Sequence, residues 1–113
     1  MVISENIIKH TQKRFLSFEF DPEMDNQNSI VIFLINTLKK SIEKKEQESI
    51  MKLADFINEL ISNENESIAS LIDDIALTIH SEGCYKNIKP FLTKETNEVF
   101  EINIGLWEKG NTR

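Results

Sequence analysis

The sequence predicts an all-α protein, and three features support that prediction. Apolar residues recur three or four positions apart along most of the chain, which is the spacing of one face of an α-helix. Only three glycines and two prolines occur among the 113 residues, so little material exists for tight hairpin turns. The links between the apolar segments are short and polar. We therefore expect an irregular antiparallel bundle of about five helices in a single domain that spans residues 1–113.

The first helix is predicted over residues 4–18, with Ser4 as its N-cap. Its apolar stripe consists of Ile7, Ile8, Phe15 and Phe18. A connecting loop is expected over residues 19–28, because Pro22 disfavours helical backbone at Asp21 and acidic and amide residues dominate the positions after it.

The second helix is predicted from Asn28 or Ser29 to about Lys45. Apolar residues line one side of this helix and spread nearly all round its first half: Ile30, Val31, Ile32, Phe33, Leu34, Ile35, Leu38 and Ile42. Such a wide apolar surface is typical of a central helix. Because β-branched residues are frequent over 29–35, a short strand is the alternative there, but the helical spacing continues beyond it and favours a helix.

The third and fourth helices are predicted over residues 47–62 and 67–82. Every expected apolar position is filled, in the third by Ile50, Leu53, Ala54, Ile57, Leu60 and Ile61, and in the fourth by Ile68, Leu71, Ile72, Ile75, Ala76 and Ile79. The link between the two helices is short and polar, so we expect them to pack as an antiparallel hairpin. The similar lengths of the second to fourth helices also allow a stack of HEAT-like helix pairs, although no residue-level repeat is visible.

Beyond the fourth helix, Gly83 stands where a left-handed capping residue is expected, and residues 84–90 form a turn or a single helical turn. The last helix is predicted after Thr93, its N-cap, to about residue 108. Its seam is expected to consist of Val99, Ile102 and Leu106, with Phe100 and Trp107 beside it. Apolar residues also alternate over 100–106, so the choice between helix and strand stays open there. Residues 110–113 are expected to fray.

Composition and charge exclude several classes of function. The formal charge of −6 argues against binding nucleic acid, which depends on Lys and Arg contacts to phosphates, and against docking on anionic lipid. The longest apolar run has six residues, too few for a membrane span, and the first residues do not form a secretory signal. Because the single cysteine, Cys84, cannot form an internal disulfide, a cytoplasmic protein is expected.

No residue cluster predicts a reaction, and we expect the protein not to be an enzyme and to use no cofactor. His80, Glu82 and Cys84 are metal-ligand types, but their spacing crosses a helix end, so no metal site is predicted. Cys84 with His80 or His10 lacks the third, orienting group of a catalytic triad. Motifs that bind nucleotides, calcium or catalytic zinc are absent from the sequence.

The charge is distributed unevenly along the chain. Residues 53–82 contain seven acidic residues and no Lys or Arg, whereas the segments on either side are close to neutral. A solvated helix face normally mixes charges of both signs, so this segment is interpreted as a surface for a basic partner; a plain solvated face is the alternative. The candidate partner-binding residues there are Asp55, Glu59, Glu64, Glu66, Asp73 and Asp74.

A second acidic patch lies in the first loop, where Glu23 and Asp25 are further candidate partner-binding residues. Aromatic residues are interspersed with the acids, as they are at the anchors of many protein interfaces. The favoured interpretation is that these aromatic residues, Phe18 and Phe20, together with Met24, attach the loop to the core.

A resemblance adds a functional expectation. The blocks that carry it are Phe56-Ile57-Asn58-Glu59-Leu60-Ile61, Asn63-Glu64-Asn65-Glu66, Ser70-Leu71-Ile72-Asp73-Asp74-Ile75 and Phe91-Leu92-Thr93-Lys94-Glu95-Thr96. In this order they resemble a family of small helical bacterial immunity proteins of polymorphic and contact-dependent toxin systems, over roughly residues 29–108. The resemblance implies an all-helical protein that binds and neutralises a cognate toxin domain. Together with the charge distribution, the resemblance predicts that the toxin is basic, with a nuclease as the leading candidate. The immunity protein is then expected to cover the active site of the toxin. The alternative is a helical adaptor or regulatory module; the oligomeric state stays open.

Overall fold

Six α-helices and one short 3₁₀ turn follow one another in the part of the chain that the structure describes. The computed structural model describes residues 5–15, 18–21, 25–62 and 66–111. The helices are α1 (Glu5–Arg14), α2 (Gln27–Glu43), α3 (Gln47–Ser62), α4 (Glu66–Ser81), α5 (Tyr85–Ile88) and α6 (Lys94–Asn111), and the 3₁₀ turn spans Lys89–Phe91. No strand occurs in these ranges, so the all-α prediction is confirmed and the strand alternatives at 29–35 and 100–106 are wrong.

The helix ends agree with the sequence most closely in the middle of the chain. The bounds of α3 are those predicted, and α4 is displaced by one residue. The first helix is shorter than predicted, because it ends at Arg14, and Phe18 instead closes a separate turn by donating its N–H to the Phe15 carbonyl (2.9 Å). The last helix continues to Asn111, so residues 110 and 111 are helical. The predicted N-cap Ser4, Met24 of the first loop, and residues 112 and 113 lie outside the described residues.

Two helix ends show why the chain turns where it does. Asn26 caps α2 in a capping box: its side chain accepts from the Asn28 N–H, and its own N–H donates to the Ser29 hydroxyl. Just after the C-terminal end of α4, Gly83 has a φ of 73°, the left-handed conformation that glycine adopts without penalty. The N–H groups of Gly83 and Cys84 then satisfy carbonyls of the last turn of α4, as in a Schellman motif.

The core lies between α2, α3, α4 and α6. The helix α4 packs most extensively against α2 and α6, and α2 also packs closely on α3. The predicted hairpin partners α3 and α4 do touch, but over a smaller contact than α4 makes with α2 or α6. The four seam residues at the centre of the predicted hairpin, Leu53, Ile57, Leu71 and Ile75, are all buried, as predicted. In the first loop, Phe18 is buried and Phe20 packs against the core, which confirms that these aromatic residues attach the loop.

Three predicted core positions are wrong, one in α2 and two in α6. Ile32 of α2 is exposed, so the apolar surface of that helix is not continuous all round. In α6, Ile102 and Leu106 of the predicted seam are exposed, Val99 is partly buried against the core, and the buried residues are Thr96, Phe100 and Ile104. At the start of α6, the Thr93 hydroxyl accepts a hydrogen bond from the Thr96 N–H (3.2 Å) and contacts the Thr96 hydroxyl (2.9 Å).

The entry to α6 is fixed from α3. Asn58 donates to the Phe91 carbonyl (3.3 Å) and accepts from the Thr93 N–H (3.1 Å).

In the ranges of the chain that are described, no helix combines the length and the apolar character that a membrane crossing requires.

Candidate functional site

Asp55 is the most open of the candidate acids on α3. It is exposed, on the side of α3 opposite the buried Leu53 and Ile57. No ion pair joins its carboxylate to another residue within the described ranges. Its negative charge is therefore available to a binding partner.

Glu59, one turn further along α3, has a different environment. Its carboxylate forms an ion pair with the Arg14 guanidinium and lies 3.0 Å from Nε2 of His10. Glu59 is only partly exposed, and because its carboxylate is paired with Arg14 its charge is less available to a partner than that of Asp55. The reason is tertiary: α1 packs across α3 and brings two nitrogen-containing side chains to this carboxylate.

The side chains of α1 make a small basic cleft around Glu59. His10, Lys13, Arg14 and Glu59 line an open cleft of about 490 Å³. Partial burial, reinforced by the positive charges of Arg14 and Lys13, lowers the pKa of His10. Sequence reasoning missed this cluster. The available signal was that His10 and Arg14 are four residues apart and so share one face of a helix.

The two adjacent acids of α4 also differ from each other. Asp73 is exposed, whereas Asp74 is half-buried; adjacent helical residues point about 100° apart, so the two carboxylates do not form one site. The pKa of Asp73 is raised by partial burial and by the charge of Asp74, while a hydrogen bond from Asn103 of α6 opposes the increase. Asp73 therefore lies at the boundary between α4 and α6.

Asp25 has a structural role at the start of α2. Its two carboxylate oxygens accept hydrogen bonds from the Asp21 N–H (2.8 Å) and the Ser29 hydroxyl (3.1 Å). A partner would compete with these contacts for the carboxylate. Of the remaining candidates, Glu23 and Glu64 lie outside the described residues, and Glu66 is the first residue of α4, with its side chain outside the described part.

His80, Glu82 and Cys84, which are close together in the sequence near the end of α4, have different environments in the structure. Glu82 pairs with Lys39 of α2 (2.8 Å), and His80 lies 3.1 Å from Glu108 of α6. Cys84 is buried, and burial raises the pKa of its thiol, so the thiol stays protonated at neutral pH. Among the residues whose positions are described, no three His, Cys, Asp or Glu side chains are grouped as metal ligands.

No family model, curated protein or solved structure matches this chain.

The described geometry is suited to recognising charge. Long-range contacts compensate two of the acids in residues 53–82, Glu59 and Glu82. Asp55 and Asp73 remain exposed and unpaired by any cation of the described structure. What these two carboxylates can do chemically is to attract and orient Lys or Arg side chains of another molecule.

Proposed function

We propose that this chain is an immunity protein that binds a basic bacterial toxin domain and neutralises it by covering its active site. The observation that carries the proposal is the charge asymmetry of residues 53–82, which contain seven acids and no base, together with the exposure of Asp55 and Asp73. The resemblance over residues 29–108 points to the same role.

A nuclease is the kind of toxin that fits this surface best. A nuclease holds the phosphates of its substrate with Lys and Arg side chains, so its active site is basic. A protein that presents unpaired carboxylates can occupy that region in place of the substrate. Such opposed charges also increase the rate of encounter, which matters when a toxin must be stopped before it acts.

Inhibition by covering an active site requires no reaction in the inhibitor. The proposal therefore assigns to this chain no catalytic residue, no cofactor and no metal. A nuclease toxin would act on nucleic acid inside the cell, so we place the inhibitor in the cytoplasm.

The test is protection of growing cells. The first step is to examine the neighbouring gene for a basic C-terminal toxin domain, and that domain is then expressed in a sensitive host with and without the chain. We expect growth to be restored by the wild type and to be restored less by the double variant Asp55→Asn/Asp73→Asn. The matched control is Glu43→Gln/Glu48→Gln, which removes the same charge from exposed acids outside residues 53–82 and should protect like the wild type.

Binding kinetics test the electrostatic part of the proposal separately. Association of the purified chain with the toxin domain should slow as salt rises, since the screening length shortens to about 8 Å at physiological ionic strength. The Asp55→Asn/Asp73→Asn variant should associate more slowly at low salt and depend less on salt. If wild type fails to protect cells from the neighbouring toxin, the immunity proposal is wrong, and a helical adaptor becomes the better interpretation.

A further inference from the structure

The last helix presents an apolar stripe to solvent. The side chains of Ile102 and Leu106 are 63% and 65% exposed, and they lie four residues apart, on one face of α6. Val99, one turn earlier, is half-buried at the edge of the same stripe. The core-facing residues Phe100 and Ile104 occupy the other side, so α6 has two apolar faces, and the described residues cover only one of them.

Gly105 lies beside this stripe, at a position where no contact with the described residues requires a glycine. Gly105 is exposed in the interior of α6, where glycine weakens a helix relative to alanine. Its backbone is not left-handed, and a Cβ atom added to it would meet nothing within 4 Å. No packing contact of the described chain therefore requires glycine here. A small residue next to two exposed apolar side chains leaves room for the close approach of another backbone.

The acids around the stripe are unpaired, whereas those on the other flank of α6 are paired. Glu101 pairs with Lys89 and Glu108 with His80. Glu95 and Glu98, which lie seven and four residues before Ile102 and so on its side of α6, are exposed. Neither forms an ion pair within the described ranges. Asp73, which is exposed on α4, adds a further negative charge on the helix that packs against α6.

We infer that this stripe of α6 is a docking surface for a basic amphipathic helix of a partner protein. The apolar face of that helix covers Ile102 and Leu106, its backbone passes close to Gly105, and its Lys or Arg side chains oppose Glu95, Glu98 and Asp73. The identification of the partner as a basic protein rests on the proposed function. The inference adds the surface and the kind of segment that is recognised.

Charge argues against an anionic membrane surface, which an apolar stripe could also attract, because the exposed carboxylates of Glu95 and Glu98 would be repelled by it. A second copy of the chain is the remaining occupant, and sedimentation distinguishes it from a partner helix.

A designed peptide tests the surface without the toxin. The probe is a fluorescent amphipathic helix of about 18 residues, or five turns, composed of Leu on one face and Lys on the other. A scrambled peptide of the same composition and a Leu/Glu helix are the peptide controls. We expect only the amphipathic Leu/Lys helix to bind, with the largest backbone amide shifts by NMR in α6.

Variants then locate the contact. Ile102→Gln/Leu106→Gln should weaken peptide binding by about tenfold or more, a change of about 1.4 kcal/mol. The matched control is Ile32→Gln, the same substitution at an exposed isoleucine of α2, which should bind like the wild type. Gly105→Ala should raise the melting temperature yet weaken binding, which a merely structural glycine would not do.

Several outcomes would overturn the inference. They are equal binding of the Leu/Glu or scrambled peptide, undiminished binding by Ile102→Gln/Leu106→Gln, and amide shifts confined to other helices. Sedimentation that shows a dimer of wild type but not of Ile102→Gln/Leu106→Gln would assign the stripe to a second copy instead. Loss of peptide binding leaves the growth-protection test unaffected, because that test depends on the toxin domain, so failure of this surface and failure of the immunity proposal are distinguishable.

Discussion

The imidazole of His10 stacks on the ring of Phe56, with ring centroids 5.1 Å apart and an interplanar angle of 21°. Phe15 contacts the same ring edge-on, at 5.4 Å. The extensive helix–helix contacts of the described structure are those among α2, α3, α4 and α6, and α1 takes part in none of them. Phe56 therefore contributes to holding α1 and the residue that follows it against α3, beside the Arg14–Glu59 ion pair.

Phe56→Ala should destabilise the protein by about 3–5 kcal/mol, because Phe56 is fully buried and two aromatic contacts are lost. The measurement is urea unfolding followed by circular dichroism. Limited proteolysis should cleave the variant within α1 first. Met51→Ala, a truncation at an exposed residue of the same helix, should change stability by no more than about 0.5 kcal/mol. Equal stability of the two variants would contradict this role of Phe56.

The buried seam of α3 and α4 leads to a second prediction. Truncation of Leu53, Ile57, Leu71 or Ile75 to alanine should each cost about 2–5 kcal/mol of unfolding free energy. Each side chain is 1–2% exposed, so its removal leaves a cavity. Ile32→Ala serves as the control, because that side chain is half-exposed. Losses below about 1 kcal/mol at all four seam positions would be incompatible with the core described above.

Asp73→Asn should stabilise the protein at neutral pH but not in acid. The pKa of Asp73 is raised in the folded state by partial burial and by Asp74, so the folded chain binds a proton more readily than the unfolded chain. Stability contributed at this site therefore falls as pH rises through that range. We expect a gain of less than about 1 kcal/mol, since the group is exposed and screened.

The measurement for Asp73→Asn is thermal unfolding at a series of pH values from about 3 to about 7. The gain should disappear at the acid end, where Asp73 is protonated in both states. Asp55→Asn is the comparison, since it removes one charge from an exposed position of α3. A gain for Asp73→Asn that persists in acid would exclude a charge effect.

Arg14→Gln should raise the pKa of His10. Burial, then Arg14, then Lys13 lower this pKa in the wild type, and without Arg14 the Glu59 carboxylate is left to pair with the imidazole. Lys13→Gln should produce a smaller increase. The measurement is an NMR titration of the histidine ring protons, assigned with His10→Gln. A lower pKa in Arg14→Gln would show that Arg14 does not oppose protonation.

The same pKa has a consequence for stability. Because the folded state disfavours protonation of His10, the unfolded chain takes up the proton first as pH falls below about 6.5. Stability should therefore decline through this range in the wild type. The decline should be smaller in Arg14→Gln, in which protonated His10 faces one positive charge fewer, and unfolding titrations of the two proteins at matched pH values measure the difference.

The extent to which the sequence predicted the fold differs between helices for a physical reason. In α3 and α4 the apolar residues occupy one arc of the helix, so spacing alone identified both the element and its buried face. In α6 two arcs are apolar, one with Phe100 and Ile104, the other with Ile102 and Leu106. Both satisfy helical spacing, and the prediction from sequence chose the arc that faces solvent.

For the candidate site, too, the sequence predicted some features and missed others. The absence of bases over residues 53–82 is visible in the sequence, and it correctly indicated Asp55 and Asp73 as exposed acids. It also included Glu59, which Arg14 neutralises from 45 positions earlier in the chain, and Asp25, which is occupied by local hydrogen bonds. Neither contact follows from composition.

Local periodicity, capping residues and turn residues were sufficient to establish that this chain is all-α, where α3 and α4 lie, and that Gly83 ends α4. These properties depend on neighbours within one or two helical turns, which a sequence displays directly. Only the packing of helices decided which arc of α6 is buried, where α1 docks, and which carboxylates keep their charge free. Those outcomes depend on residues that are distant in sequence, and the helix order allows more than one arrangement until the side chains fit together.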